Sequence, residues 1–329
     1  MSARAAAAPG APAVPAPGPR APETRAPETG AASVPPEILR QVKRIELRTR
    51  GLVNSHFAGE YHSVFKGQGM EFAEVREYQP GDEVRTIDWN VSARMHRLFV
   101  KRYVEERELT VLLLVDCSGS ARFGTADRDK RSLSAELAAV LALTATRNND
   151  RVGLVLFSDG IEHVVPPRKG RRHALRLVRD VLAWPARQRT TDLAGALDHA
   201  ARLLSHHAIV FVISDWVAPD PERALRRLRQ RHDVVGVVLD DPGERDLPSI
   251  GVARLVDAET GAFLEVDTSD AAVRRAYAEA QRVERTDRTS RFRRLAIDEV
   301  RVRTEAGYAD ALLRFFATRE TRARRRARR

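Results

Sequence analysis

The sequence predicts an α/β protein: a doubly wound, mostly parallel sheet with a smaller β-rich region on its N-terminal side. Three observations predict it. Four apolar runs, Val111–Val115, Val152–Phe157, Ala208–Ser214 and Val234–Leu239, read as strands buried on both faces of a sheet. Amphipathic helical stretches lie between them, and a strand–helix alternation implies a parallel sheet with helices on both faces. Short oxygen-bearing side chains follow several of the runs, at the strand ends where open α/β sheets bind ligands.

Taken in order, residues 1–34 are Ala and Pro with few large apolar side chains, and contain a tandem echo, Ala-Pro-Glu-Thr at 21–24 and again at 26–29. Such a segment buries too little surface to offset its ordering entropy, so a disordered arm is expected. From Pro35, the spacing of Ile38, Val42 and Ile45 predicts a short helix. Residues 62–104 are punctuated by Gly and a Pro80-Gly81-Asp82 turn, and their short alternating runs suggest strands or hairpins. Glu71, Arg76, Asp82, Arg85, Asp88, Arg94 and Lys101 alternate in sign, as a salt-bridge lattice or a docking surface would. Residues 35–108 are therefore set apart as a first region.

The region 109–320 opens with the strand Val111–Val115, followed by a helix over Lys130–Thr146 with Leu133, Leu137, Val140 and Leu141 on one face. Val152–Phe157 pairs with Glu162–Val165 as a hairpin across Asp159-Gly160. Helices follow over Arg171–Leu182 and, capped by Asp192, through Leu204. After the strand Ala208–Ser214 comes a helix over Pro221–Arg231, with Pro at a tolerated first-turn position. Beyond Val234–Leu239, Thr268 or Ser269 is expected to cap a helix reaching toward Arg294. A strand near Val300–Arg303 and a helix over Ala309–Arg319 close the domain, and 321–329 is a basic tail.

Composition narrows the function classes. The chain has 329 residues, 43% of them hydrophobic, enough for one large domain or two modest ones. A net charge of +11 raises nucleic acid or an acidic membrane as partners. However, only five of the 56 basic residues are lysine, and the cations are dispersed among Asp and Glu except at the extreme C-terminus. The single cysteine, Cys117, excludes an intramolecular disulfide and fits a reducing cytosol. It reads as a small buried residue at a strand end or as a nucleophile. No apolar stretch reaches the roughly 20 residues of a membrane span, and no signal peptide is recognisable, so a cytoplasmic protein is expected.

The stretch Asp116-Cys117-Ser118-Gly119-Ser120 places a carboxylate and two hydroxyls, spaced by two, just past a central strand. Thr191, with Thr190 as an adjacent alternative, precedes a helix, and Asp215 directly follows the strand ending at Ser214. These are five hard oxygen donors on three loops, the type that Mg²⁺ or Mn²⁺ prefers. The set resembles the metal-ion-dependent adhesion site of von Willebrand factor A-type domains. That family uses Asp-x-Ser-x-Ser, then Thr, then Asp, matched here by Asp116, Ser118, Ser120, Thr191 and Asp215. The upstream stretch from Gly69 to Asn90, with Ser92-Ala93-Arg94 and Val100-Lys101, is similar to the hallmark of the DUF58 family. Ala121 stands where many of its members have Met. The resemblance covers roughly residues 35–320. It implies a von Willebrand A / Rossmann-like fold and bound Mg²⁺ (or Mn²⁺). It also implies a partner carboxylate completing the metal shell, and a MoxR-type AAA+ ATPase or its client as that partner.

The expectation is a non-catalytic, metal-dependent protein-binding module, an adaptor in protein assembly or maturation. Two alternatives stay open. A Mg²⁺-dependent hydrolase or phosphotransferase could use the same acidic edge, although the chain lacks a Gly-x-x-x-x-Gly-Lys-Ser/Thr loop, a His-Glu-x-x-His motif and a Gly-x-Ser-x-Gly elbow. The run from Arg322 to Arg329 could instead bind nucleic acid or a membrane by charge.

Overall fold

The computed structural model describes residues 35–53, 57–65, 71–104, 108–124, 128–185, 190–257, 259 and 261–327. The arm expected over 1–34 lies outside them. Two helices open the described chain, α1 (Pro36–Leu52) and α2 (Ala58–Phe65). A hairpin of β1 (Glu71–Glu77) and β2 (Phe99–Val104) follows, with the short helix α3 (Trp89–Met95) in its connection. This region was expected to be β-rich, but among the described residues its only sheet is that pair. The helix α1 is the one that Ile38, Val42 and Ile45 predicted; α2 was not expected, and it forms where Phe57, Tyr61 and Phe65 set their rings against Phe316. Of the charge lattice, Arg76 pairs with Asp82 at 2.6 Å, and Asp88 spends its carboxylate capping α3 through the amides of Asn90 and Val91.

The main sheet has six strands: β3 (Thr110–Asp116), β4 (Arg151–Phe157), β5 (Ile161–Arg168), β6 (Ile209–Ser214), β7 (Asp233–Asp240) and, after the hairpin named below, β10 (Asp298–Arg303). Their spatial order is β10-β7-β6-β3-β4-β5, parallel throughout except for β5, which returns antiparallel beside β4. The fold is therefore the expected doubly wound α/β class. Period-two alternation divides each central strand between two cores. Val111, Leu113 and Val115 face one, with Phe211 and Val237. Leu112 and Leu114 face the other, with Val210, Val212 and Val238.

The first core lies under α4 (Lys130–Arg147), with α1 and α5 (Arg171–Ala183) packed on that helix and on each other. One apolar stripe was expected for α4. Instead it is buried around most of its circumference, Ala135, Ala138, Ala139 and Ala142 included. Alanines there let α1 and α5 approach closely. The helix α2 completes this layer by packing on the C-terminal helix α9 (Tyr308–Ala327), with Phe57 and Phe316 edge to face at 5.8 Å. The second core lies under α6 (Leu193–Leu203), α7 (Glu222–Arg231) and the end of α8 (Ala271–Arg294). Residues 35 to 329 thus form one compact unit.

Two further differences bear on the site. A two-stranded antiparallel hairpin, β8 (Val252–Val256) and β9 (Phe263–Asp267), stands between β7 and α8 and was not anticipated. Neither strand has a fully buried residue, and Val252, Val256, Phe263 and Leu264 are exposed, so no apolar-polar alternation in the sequence marks it. Asp270, rather than Thr268 or Ser269, caps α8 through the amide of Ala272 at 2.7 Å. The Thr268 hydroxyl is committed to the base of the hairpin, donating to the Gly251 carbonyl at 2.7 Å. Finally, α9 continues through Ala327, so most of the basic run is the last turns of a helix rather than a separate tail. Among the described residues no helix is long and apolar enough to cross a membrane.

Gly236, in the middle of β7, admits a close approach from the second core. A Cβ there would stand 2.6 Å from the Phe292 ring and 3.1 Å from that of Trp216. These two rings meet edge to face at 4.6 Å. Gly236→Ala should cost about 1–3 kcal/mol by overpacking. The urea midpoint checks this, and an unchanged midpoint would mean that the ring pair yields freely.

Candidate metal centre

The direction of strand succession reverses between β3 and β6, which lie side by side although β4 and β5 intervene in sequence. Their carboxyl ends therefore flank a crevice at the topological switch point of the sheet. Three loops converge there.

The first follows β3. Asp116 is buried, and its Oδ1 accepts from the amide of Ser118 at 2.9 Å, which folds the chain back on itself. A 3-10 turn over Gly119–Arg122 then brings the hydroxyls of Ser118 and Ser120 to 3.1 Å of each other. Cys117 points away, its Sγ donating to the carbonyl of Phe157 at 3.1 Å. Burial first, then the charges of Asp116 and Glu162, push its thiol up to about 12, so Cys117 is no thiolate at neutral pH.

The third loop follows β6. The Ser214 hydroxyl donates to Asp116 Oδ2 at 2.8 Å and accepts from the Trp216 amide at 3.0 Å, joining the third loop to the first. Asp215 is buried next to it, and its Oδ1 accepts from the amide of Val217 at 3.2 Å. Trp216 takes a left-handed φ of 65° that turns its indole inward, where Nε1 donates to the Val237 carbonyl at 3.2 Å.

The second loop precedes α6. Asp192 caps that helix through the Gly195 amide at 2.9 Å, and its own amide donates to the Ser158 carbonyl at the end of β4. Thr191 is buried beside it, whereas the alternative Thr190 is exposed. Its Oγ1 donates to Glu259 Oε1 at 2.6 Å. Asp116, Ser118 and Ser120 thus sit in direct contact through the first loop. Asp215 lies close enough to act on the Asp116 carboxyl electrostatically. Thr191 reaches the group through Glu259, on which the charge of Asp215 also acts.

Four residues of this site were missed in the sequence: Lys130, Ser214, Glu244 and Glu259. Lys130 had a signal. It is the first residue of α4, directly after the N-cap Asp129, where a cation opposes the helix dipole. A buried ammonium tolerates that position only if carboxylates meet it. Its Nζ donates to Asp215 Oδ2 at 3.0 Å and to Glu244 Oε1, and the residue is 1% exposed. Glu244 itself stands in a short turn after β7, closed by Asp241 as a capping box.

The crest carries surplus negative charge. Burial, then the charge of Asp215, pushes the Asp116 carboxyl up to about 6, against the bonds from Ser118 and Ser214. Burial also raises Glu244 and Glu259 above the ordinary carboxylate range. Burial pulls the Lys130 ammonium down, but Asp215 and Glu244 more than offset it and hold it above its usual value. The donor set fits a hard divalent ion. It offers hydroxyls and carboxylates, and Lys130 stands as a cation against one of them. Both Asp116 oxygens already accept bonds from the protein, so that carboxylate suits contact through water. Among the described residues no group of three or more His, Cys, Asp or Glu side chains forms a cage.

The family model described as "Protein of unknown function DUF58" matches residues 74–287. The chain belongs to the DUF58 family. A relative from Mycobacterium tuberculosis (strain ATCC 25618 / H37Rv), an uncharacterized protein, is 31% identical over 287 residues, covering 86% of this chain and 90% of the relative. Solved structures similar to this DUF58 chain include the conserved hypothetical protein BatB from Bacteroides thetaiotaomicron, with a TM-score of 0.42 and 14% identity over 65% of this chain and 99% of BatB. The SpRpn10 VWA domain gives a TM-score of 0.37 and 12% identity over 63% and 94%.

Two predictions follow from the charge balance. Lys130→Met leaves Asp215 buried without its cation, which should cost about 3–5 kcal/mol in EDTA. Urea denaturation reads the loss, and Mg²⁺ should recover part of it. A midpoint within error of wild type would show that the Lys130 pair is dispensable. The second concerns pH. The folded pKa of Asp116 lies above the roughly 3.9 of an unfolded carboxyl, so the folded state holds the extra proton between about pH 4 and 6. The contribution of this group to stability therefore falls as pH rises through that window. In EDTA, the stability difference between wild type and Asp116→Asn should shift in favour of the variant from pH 4.5 to 7. A difference independent of pH would rule this out.

Proposed function

We propose that this DUF58 protein is a non-catalytic, metal-dependent protein-binding module. Asp116, Ser118, Ser120, Thr191 and Asp215 would hold Mg²⁺ or Mn²⁺ at the carboxyl edge of the sheet. When bound, the ion supplies an electrophilic coordination position for a carboxylate of a partner. The observation that carries this reading is the surplus of buried carboxylate at the crest, with Lys130 already drawn in against Asp215. Such an edge attracts a cation of higher charge.

The protein's own groups do the rest. Ser214 fixes the rotamer of Asp116 and couples the two acidic loops. Lys130 screens Asp215, which keeps ion binding weak and the ion available to a partner. At a Kd of about 0.1 mM and about 1 mM Mg²⁺, bound ion would add only about 1.4 kcal/mol to stability. Serving as an adaptor for a MoxR-type AAA+ ATPase or its client, in protein assembly or maturation within the cytoplasm, is the partner assignment that the family resemblance favours. A Mg²⁺-dependent phosphotransferase using the same edge is the competing reading. It would need a nucleophile or base, and Cys117 is held as a thiol.

An affinity pull-down from native lysate tests the assignment, with wild type and Asp116→Ala each in Mg²⁺ and in EDTA. Retention of an AAA+ ATPase by wild type in Mg²⁺ alone is the expected result. Retention in all four samples would move docking away from the metal crest, and turnover of generic phosphoesters lost in Asp116→Ala would favour the enzyme.

A further inference from the structure

The hairpin of β8 and β9 brings a carboxylate to the crest from within the chain. Its base is fixed: the Thr268 hydroxyl donates to the Gly251 carbonyl and accepts from the Ile250 amide at 3.0 Å, and the Thr268 amide donates to the same Gly251 carbonyl at 2.8 Å. Its tip is a shaped turn. The amide of Asp257 donates to the Ala262 carbonyl at 2.8 Å, that of Gly261 to the Asp257 carbonyl at 2.9 Å, and Gly261 supplies the left-handed φ of 72° that closes it. Within the turn, Asp257 Oδ1 accepts from the Glu259 amide at 2.8 Å, which orients Glu259. The Glu259 carboxylate then accepts a hydrogen bond from Oγ1 of Thr191, one of the five candidate ligands, at 2.6 Å. Between base and tip, the strands present Val252, Val256, Phe263 and Leu264 to solvent. A two-stranded ribbon with so little buried surface is marginal by itself, so the contact at its tip matters to its position.

We propose that Glu259 is a built-in ligand of the metal site: with the ion bound, the hairpin tip supplies in cis the carboxylate that a partner would otherwise bring, and a partner must displace it. This rests on the metal-site reading above. The geometry favours it over a purely structural contact because Thr191 lies on the second loop of the crest, Glu259 meets its hydroxyl, and the charge of Asp215 on the third loop acts on the Glu259 carboxylate. The exposed apolar strands give a partner something to grip while it moves the tip aside.

The test uses full-length protein and Mn²⁺ alone, with affinity from calorimetry and the number of exchangeable waters on bound Mn²⁺ from water-proton relaxation. Wild type, Glu259→Ala and Asp116→Ala are compared, with unfolding curves in EDTA to confirm that each variant folds. Expected are Mn²⁺ binding by wild type and loss of it in Asp116→Ala. In Glu259→Ala, which leaves no side-chain oxygen, affinity should weaken, with one additional exchangeable water. Free acetate should remove that additional water in Glu259→Ala and leave wild type unchanged. If Asp116→Ala abolishes binding while Glu259→Ala keeps the affinity and water count of wild type, the built-in ligand is overturned and the metal site stands. Should wild type bind no Mn²⁺, both readings fall.

Discussion

The carboxylates of Asp116, Asp215, Glu244 and Glu259 meet around the carboxyl edge of the sheet, and the ammonium of Lys130 enters from the start of α4 to meet two of them. Collecting this much like charge in a poorly hydrated place is expensive, and the surrounding structure is arranged to bear it. The amide of Ser118 and the hydroxyl of Ser214 take both oxygens of Asp116. The amide of Val217 takes one oxygen of Asp215. Lys130 is carried at the wrong end of a helix dipole to reach the other. The strands and helices that deliver these groups are ordinary. The charge they are made to hold is not.

The N-terminal residues are part of this scaffold. Helix α1 lies along α4, the helix that carries Lys130 at its start, and α2 closes the same layer through Phe57, Tyr61 and Phe316. Because α4 is enclosed by α1, α5 and the sheet, its first residue has little room to swing out. The position of Lys130 is thus set by packing at some distance from the crest.

The central strands were legible because burial on both faces leaves a run such as Val111–Val115 with no polar interruption. Two of the three loops were legible because their oxygen side chains follow directly on those runs, and Thr191 because it directly precedes the cap of a helix. Legibility failed where a residue's environment is made by distant segments. No periodicity in α4 could show that α1 would lie against it. The hairpin of β8 and β9 escaped because Val252, Val256, Phe263 and Leu264 stand on exposed positions, so no apolar-polar alternation in the sequence marked it. Glu259 escaped with it, since only the folded chain brings position 259 to position 191. Lys130 lay in between, for its place at a helix start was visible but the need for Asp215 and Glu244 was not inferred from it.

Ser214 has one hydroxyl proton, and it is spent on Asp116, while the oxygen receives the amide of Trp216. The bond therefore has a direction, running from the backbone of the third loop through a single side chain to the carboxylate of the first. An insertion in either loop would break it, and so would any side chain at 214 that cannot donate and accept at once. The geometry of one acidic loop is thereby tied to that of the other, with Ser214 as the pin between them.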